Sequence, residues 1–373
     1  MKQIIAAALI TLTVPVLARP PVVSPEVRPD GVVTFRLLAP EARDVRLDCE
    51  GVPDSAMTKG DDGVWTFTTQ PLEPDIYSYT FDVDGVRMTD PRNPFLKYNL
   101  LSSASQVEVP GPSSLPWQIS DVPRGELHQC FFRSTVANDN RNFIVYTPPG
   151  YNCRASKRYP VLYLLHGFSD DTTAWVQAGR ANVILDNLIA RGQARPMIVV
   201  MPLCYGTMDV LKSGFGPSGE ALRRLNLQNF VKSLLTEVIP RVEKQYRVLA
   251  NRRSRAIAGL SMGGEEALVA GLNHLNEFGW VGAFSSAGMK NFDSAFLGLD
   301  ADANGKLRLL WIGCGNHDGL LKPNEQLCQW LQGKGVQYTW VELPGQHSYR
   351  VWRRDLAQFV PLLFQNAPRR KSP

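Results

Sequence analysis

The stretch that decides the fold is Ala256-Ile257-Ala258-Gly259-Leu260-Ser261-Met262-Gly263-Gly264-Glu265-Glu266-Ala267-Leu268. An apolar strand run enters it and a helix-forming run leaves it. Between them stands Gly-x-Ser-x-Gly, the pattern of a nucleophile elbow. The elbow is a sharp strand-to-helix turn that strains the serine backbone. Glycines at 259 and 263 remove Cβ atoms that would collide in such a turn. The serine then stands at a helix N-terminus, where the dipole and unpaired N–H groups favour developing negative charge. A bare Gly-x-Ser-x-Gly also occurs as an ordinary turn. The flanking strand and helix make Ser261 the candidate nucleophile.

Outward from the elbow, residues 159–165, 196–202, 255–260 and 307–312 are continuous apolar runs, with helical stretches at 181–190, 227–246 and 264–273 between them. Apolar strands alternating with amphipathic helices predict a mostly parallel sheet covered on both faces. The fold class is therefore α/β, an α/β-hydrolase domain expected over 124–366.

A serine hydroxyl is a poor nucleophile without a base. The chain has five histidines: His128, His166, His274, His317 and His347. In this fold the chain order is Ser, acid, His, with the histidine after the last strand. His347, in Pro344-Gly345-Gln346-His347-Ser348 after the strand 338–343, holds that place. The acid should follow an earlier strand, and Asp318 ends the loop after Leu309-Leu310-Trp311-Ile312-Gly313-Cys314-Gly315. Asp293, Asp300, Asp302 and Glu325 lie before that strand or within the next helix. Two backbone donors are needed for an oxyanion hole. Met262 N–H follows the nucleophile, and Phe168 N–H lies in the loop His166-Gly167-Phe168. His166 is expected to order that loop rather than act as a base.

Residues 20–110 carry a different pattern. Runs at 32–37, 64–68 and 76–83 read as short strands, separated by the turn signals Pro29-Asp30-Gly31, Asp61-Asp62-Gly63 and Asp84-Gly85. They predict a small all-β, immunoglobulin-like sandwich before the hydrolase domain. Residues 111–123, rich in Pro, Gly and Ser, are expected as a linker, and 367–373 as a tail. Residues 1–18 have the order of a signal peptide: Lys2, a short apolar run from Ile4, and Val16-Leu17-Ala18. Cleavage near Ala18 would send the chain to the periplasm or outside the cell.

The formal net charge of +5 is scattered, so no nucleic-acid surface is expected, and no apolar run beyond the leader is long enough to span a membrane. Six cysteines allow 15 full pairings, which the sequence leaves open; Cys314 and Cys328 are near enough to pair locally. Neither CxxC nor His/Cys metal spacing appears, so no metal or organic cofactor is implied.

Residues 124–366 resemble the esterase-D-like proteins of carbohydrate esterase family 1, which includes feruloyl and acetylxylan esterases. The resemblance rests on Tyr163-Leu164-Leu165-His166-Gly167, Trp175, Pro196-Met197-Ile198-Val199-Val200-Met201-Pro202, the elbow, Trp311-Ile312-Gly313-Cys314-Gly315 with Asp318, and Gly345-Gln346-His347-Ser348 with Trp352-Arg353. It implies the same Ser261–Asp318–His347 triad. Residues 28–98 resemble the early-set, family-48 carbohydrate-binding modules through Thr34-Phe35-Arg36-Leu37-Leu38-Ala39-Pro40, Asp62-Gly63-Val64-Trp65, Tyr77-Ser78-Tyr79-Thr80-Phe81 and Asp84-Gly85 before Asp90-Pro91. Where starch-binding members carry a tryptophan, this chain has Val86-Arg87-Met88. The pair resembles secreted feruloyl esterases acting on plant cell-wall xylan, the expected partner. Trp175, Tyr205 and Phe215 are candidate linings for an aromatic acid. Rival readings are an acetylxylan or siderophore esterase, a mycolyl-transferase-like acyltransferase, and a non-catalytic glycan-binding protein. Oligomeric state is open.

Overall fold

The computed structural model describes residues 21–53, 55–213, 219–286, 288–289 and 291–365. The expected leader 1–18 and tail 367–373 lie outside the described residues.

Two sheets form the N-terminal region. One has the order β1 (Glu26–Val27), β2 (Val33–Leu38), β6 (Val64–Thr68), β5 (Thr58–Lys59). The other runs β4 (Ser55–Ala56), β3 (Val45–Cys49), β7 (Asp75–Val83), β10 (Ala104–Val109), β9 (Leu96–Lys97), with β8 (Val86–Met88) paired to β7. Side chains alternate along each strand. Phe35, Leu37 and Trp65 of one sheet thus meet Leu47, Tyr77, Tyr79 and Phe81 of the other in one core. The β7–β8 hairpin turns on Asp84 and Gly85, at φ 50° and 87°. That double left-handed turn matches strand twist and is why Asp-Gly stands there.

The second region is an eight-stranded sheet. Its order is β11 (Glu126–Arg133), β12 (Asn140–Thr147), β14 (Ile198–Pro202), β13 (Val161–Leu165), β15 (Arg255–Leu260), β16 (Trp280–Phe284), β17 (Leu309–Gly315), β18 (Thr339–Leu343). β11, β12 and β14 are antiparallel neighbours, and from β14 to β18 every pairing is parallel. The helices are α1 (Ala174–Gln177), α2 (Ala181–Ala190), α3 (Val210–Ser213), α4 (Glu220–Ser233), α5 (Ile239–Gln245), α6 (Met262–Asn273), α7 (Phe292–Ala295), α8 (Leu321–Gly333) and α9 (Tyr349–Phe359). The stretch expected as one helix over 227–246 starts earlier and carries a π-turn at Leu234–Val238 between α4 and α5.

Period-two alternation divides the strands between two cores. Tyr163, Leu165, Val200 and Ile257 face Phe230, Leu234 and Leu268. Leu162, Leu164, Val199 and Ala258 face Trp175, Leu185, Leu356 and Phe359. Each large apolar side chain fully buried here contributes about 1.5–3 kcal/mol. All six cysteines are free. No helix among the described residues is long and apolar enough to cross a membrane.

Segment 111–123, expected as a linker, is docked on α2. Trp117 is buried, Asn187 Nδ2 donates to Pro116 and Gln118 carbonyls, and Arg191 donates to the Ser113 and Ser114 carbonyls. The two regions then meet through polar contacts: Arg180 pairs with Glu108 at 2.6 Å, and Asn99 Nδ2 donates to Ser169 Oγ and Asp170 Oδ1.

Candidate active site

Ser261 ends β15 and starts α6 with φ 51° and ψ −118°, outside every region that L-residues favour. The neighbours explain how the chain tolerates this. A Cβ on Gly259 would lie 2.3 Å from Gly263 O, and one on Gly263 would lie 2.4 Å from His166 O. Only glycine fits either position. Such strain persists where surrounding structure over-determines it, commonly at a functional site.

The structure brings Ser261, Asp318 and His347 together. His347 Nε2 lies 3.0 Å from Ser261 Oγ, and His347 Nδ1 lies 2.8 Å from Asp318 Oδ2. A carboxylate only accepts, so Nδ1 carries the proton and Nε2 is left to accept from the serine. The Asp318 side chain is 1% exposed, His347 37%. Burial by itself would raise the Asp318 pKa. The hydrogen bond and charge of His347, with the Leu320 N–H, outweigh burial and hold it below the usual value. The loops that carry Asp318 and His347 are stitched to each other: His317 N–H donates to Gly345 O, and Gly345 N–H to Asn316 Oδ1. Trp352 packs edge-on against the His347 ring at 4.9 Å, and its indole N–H donates to Ser285 Oγ. The four rival acids lie elsewhere; Asp293, for one, pairs with Lys334.

Met262 directly follows the serine, and Gly167, before Phe168, comes close to it. Met262 is the first residue of α6, so its N–H has no intrahelical acceptor. The Phe168 loop comes close because a Cβ on Gly167 would lie 3.4 Å from Ser261 Cβ. His166 fixes that loop: its Nδ1 donates to Gly167 O at 2.8 Å, and its Nε2 accepts from Cys204 N at 3.0 Å. Burial pushes the His166 pKa down, keeping the ring neutral as that pattern requires. In a trans peptide the C=O and N–H point in opposite directions. Holding Gly167 O toward His166 therefore turns the Phe168 N–H the other way.

The expected acyl-pocket linings need correction. Trp175 is 1% exposed; its indole N–H donates to Leu165 O, and its ring packs edge-on against Phe284 and Tyr349. Tyr205 is 2% exposed and donates to Asp170 O. Both are packing residues beneath the site, because the loops after β13 and β14 fold down over the sheet. Phe215 lies outside the described residues. A recess of ≈ 530 Å³ that local sequence does not signal lies beside the site; its lining mixes Asp48, Glu50, Ser78 and Arg87 with the apolar Val52 and Pro53 of the sandwich, and reaches Gln346, the residue before His347. No group of three or more metal-ligating side chains occurs among the described residues.

Residues 134–363 match the family described as Putative esterase. Over 355 residues, 91% of this chain, the sequence is 31% identical to a protein of Xylanibacter ruminicola named endo-1,4-beta-xylanase/feruloyl esterase. The match covers 46% of that relative, so the chain spans about half its length. A ferulic acid esterase from Anaeromyces mucronatus, solved in complex with ferulic acid, has a TM-score of 0.60 at 23% identity, over 68% of this chain and 96% of its own. The enterobactin esterase of Shigella flexneri has a TM-score of 0.66 at 21% identity, over 88% of this chain and 92% of its own. At those identities the two structures speak for the fold, which is that of the α/β-hydrolases.

Proposed function

This chain belongs to the putative esterase family, so residues 134–363 form a carboxylic ester hydrolase unit, and we propose that the protein releases ferulic acid from arabinoxylan with Ser261 as nucleophile. The observation that carries the chemistry is the continuous chain Ser261–His347–Asp318, at 3.0 and 2.8 Å. Ser261 Oγ attacks the ester carbonyl while His347 Nε2 takes its proton. Asp318 holds the Nδ1 tautomer and stabilises the imidazolium that forms. The tetrahedral oxyanion rests on the Met262 and Phe168 N–H groups. His347 returns the proton to the departing sugar oxygen, and water then attacks the acyl-serine by the same route.

The feruloyl reading is supported by the Xylanibacter ruminicola relative, whose name pairs xylanase with feruloyl esterase. The recess beside Gln346 can take the sugar alcohol half, since carboxylate, hydroxyl and guanidinium groups lie on its wall beside apolar side chains against which a sugar ring can pack. Export, read from residues 1–18, belongs to the same proposal; a mature N-terminus near residue 19 would support it, and retention of Met1 would remove it.

The test is hydrolysis of methyl ferulate beside 4-nitrophenyl acetate, by the native chain and by Ser261→Ala. Ferulate release that vanishes in the variant supports both nucleophile and acyl group. Cleavage of acetate alone keeps the nucleophile and moves the substrate to acetylated xylan. Activity on neither, with hydrolysis of a catechol-siderophore ester, replaces the plant polysaccharide altogether.

A further inference from the structure

We infer that Asp75, in the N-terminal sandwich, is a positioning residue for His347. This rests on the reading of His347 as the base.

Asp75 opens β7, and its side chain is fully buried. Three guanidinium groups converge on it. Arg353 Nη2 lies 2.7 Å from Oδ1, Arg354 Nη2 2.8 Å from Oδ2, and Arg350 Nε 3.5 Å from Oδ2. All three come from α9, at positions i, i+3 and i+4, which share one helix face. Arg353 also donates to Ile76 O of β7 and to Ala178 O at the end of α1. Arg350 lies over the Tyr77 ring at 4.4 Å.

The other side of the same helix holds the base. α9 begins two residues after His347, with Ser348 at its N-terminus accepting from the Val351 and Trp352 N–H groups. Trp352 stands edge-on to the His347 ring at 4.9 Å, and Tyr349 packs on Trp352 at 5.0 Å. The helix is thus clamped between an ionic anchor in the sandwich and the imidazole. The charge arrangement gives Asp75 its leverage: the buried Arg353 guanidinium, without its carboxylate, must shift toward water or another acceptor, and the half-buried Arg350 and Arg354 lose their shared partner with it. Any such shift moves α9 and, with it, the ring it carries. A displacement of about 1 Å at a reacting group costs about 10²-fold in rate.

The experiment compares Asp75→Asn with Glu108→Gln, which breaks the Arg180–Glu108 pair between the same two regions away from α9. For 4-nitrophenyl acetate, measured well below each variant's Tm, Asp75→Asn is expected to lower kcat about 10²-fold with KM nearly unchanged. Glu108→Gln should leave kcat unaltered. The low-field NMR signal of the His347 Nδ1 proton should move in the first variant and stay in the second. If Asp75→Asn does not fold, Arg354→Met, which leaves Arg353 and Arg350 on Asp75, should still lower kcat several-fold. Folded Asp75→Asn or Arg354→Met with native kcat and an unmoved Nδ1 signal overturns the inference. His347→Ala, run alongside, separates the two failures: if it retains activity, the reading of the base falls instead.

Discussion

In the sandwich, Tyr79 Oη donates to Asp90 Oδ2 at 2.8 Å and accepts from Asn93 Nδ2 at 3.0 Å, while Ser24 Oγ donates to the same carboxylate at 2.6 Å. In the hydrolase region, Asp318 is as well satisfied, but the chain it starts ends on a partly exposed imidazole and a strained serine. The first network closes on itself and fixes a core. The second is left open at its partly exposed end. Buried polar groups of similar type therefore serve opposite ends, and the difference is whether the last member faces packed atoms or solvent.

That contrast can be broken most sharply at Asp318. Asp318→Asn should lower kcat about 10⁴-fold, because the amide favours the wrong imidazole tautomer, and leave Tm nearly unchanged. Ester turnover and thermal unfolding on the same sample check it. The reverse result is expected at Phe35, fully buried and packed edge-on to Tyr79 at 4.6 Å. Phe35→Ala should cost about 3–5 kcal/mol of stability while kcat of the folded protein stays native. Urea unfolding followed by steady-state assay decides this. A large loss of kcat there would dissolve the distinction between the regions.

His166 tests the boundary between the two kinds of network, since it is buried like a core residue yet holds the loop of the proposed oxyanion donor Phe168. His166→Phe keeps a ring against Tyr205 but releases Gly167 O and Cys204 N. A fall in kcat of about 10²–10³-fold, the scale for a lost oxyanion donor, is expected with little change in KM.

The smallest effect is expected at Glu237, a closed network inside the hydrolase region. Burial raises its pKa, but hydrogen bonds from Ser134, Ser233 and Thr135 outweigh it and bring the value down to about 2. The folded value lies below the unfolded one, so its stabilisation is present above the ordinary glutamate pKa and is lost as pH falls toward about 2. Glu237→Gln should reduce stability at neutral pH by about 1–3 kcal/mol and flatten the acid limb. Unfolding midpoints at neutral and acid pH give the slope; a variant curve parallel to the native one refutes the assignment.

Much of this molecule is legible in local sequence. The elbow is readable because its glycines and its strand-to-helix change lie within a dozen residues. Continuous apolar runs mark β13, β14, β15 and β17 for a similar reason, as a strand covered on both faces has no polar side; β16 is as fully buried but gives no such run, since Gly282 and Ala283 thin it. Strand β11 has no such signal, because it is an edge strand whose residues alternate between half-exposed and exposed and give no apolar run. Trp175 and Tyr205 pack in the core although their sequence context also suits a cleft, because an aromatic after a strand end looks the same whether its loop rises over a cleft or folds down.

The sequence by itself determined the strand-to-helix turn at Ser261, the order of Ser261, Asp318 and His347, and the change from a sandwich to a parallel sheet. These follow from backbone preference and side-chain periodicity, which act over a few residues. Only the tertiary structure decided that Ser261 and His347, 86 residues apart, meet at 3.0 Å. It alone placed Asp75 against Arg353 across 278 residues. Ion pairs of that separation have no local signature: each partner reads as an ordinary surface charge until packing removes the water around both.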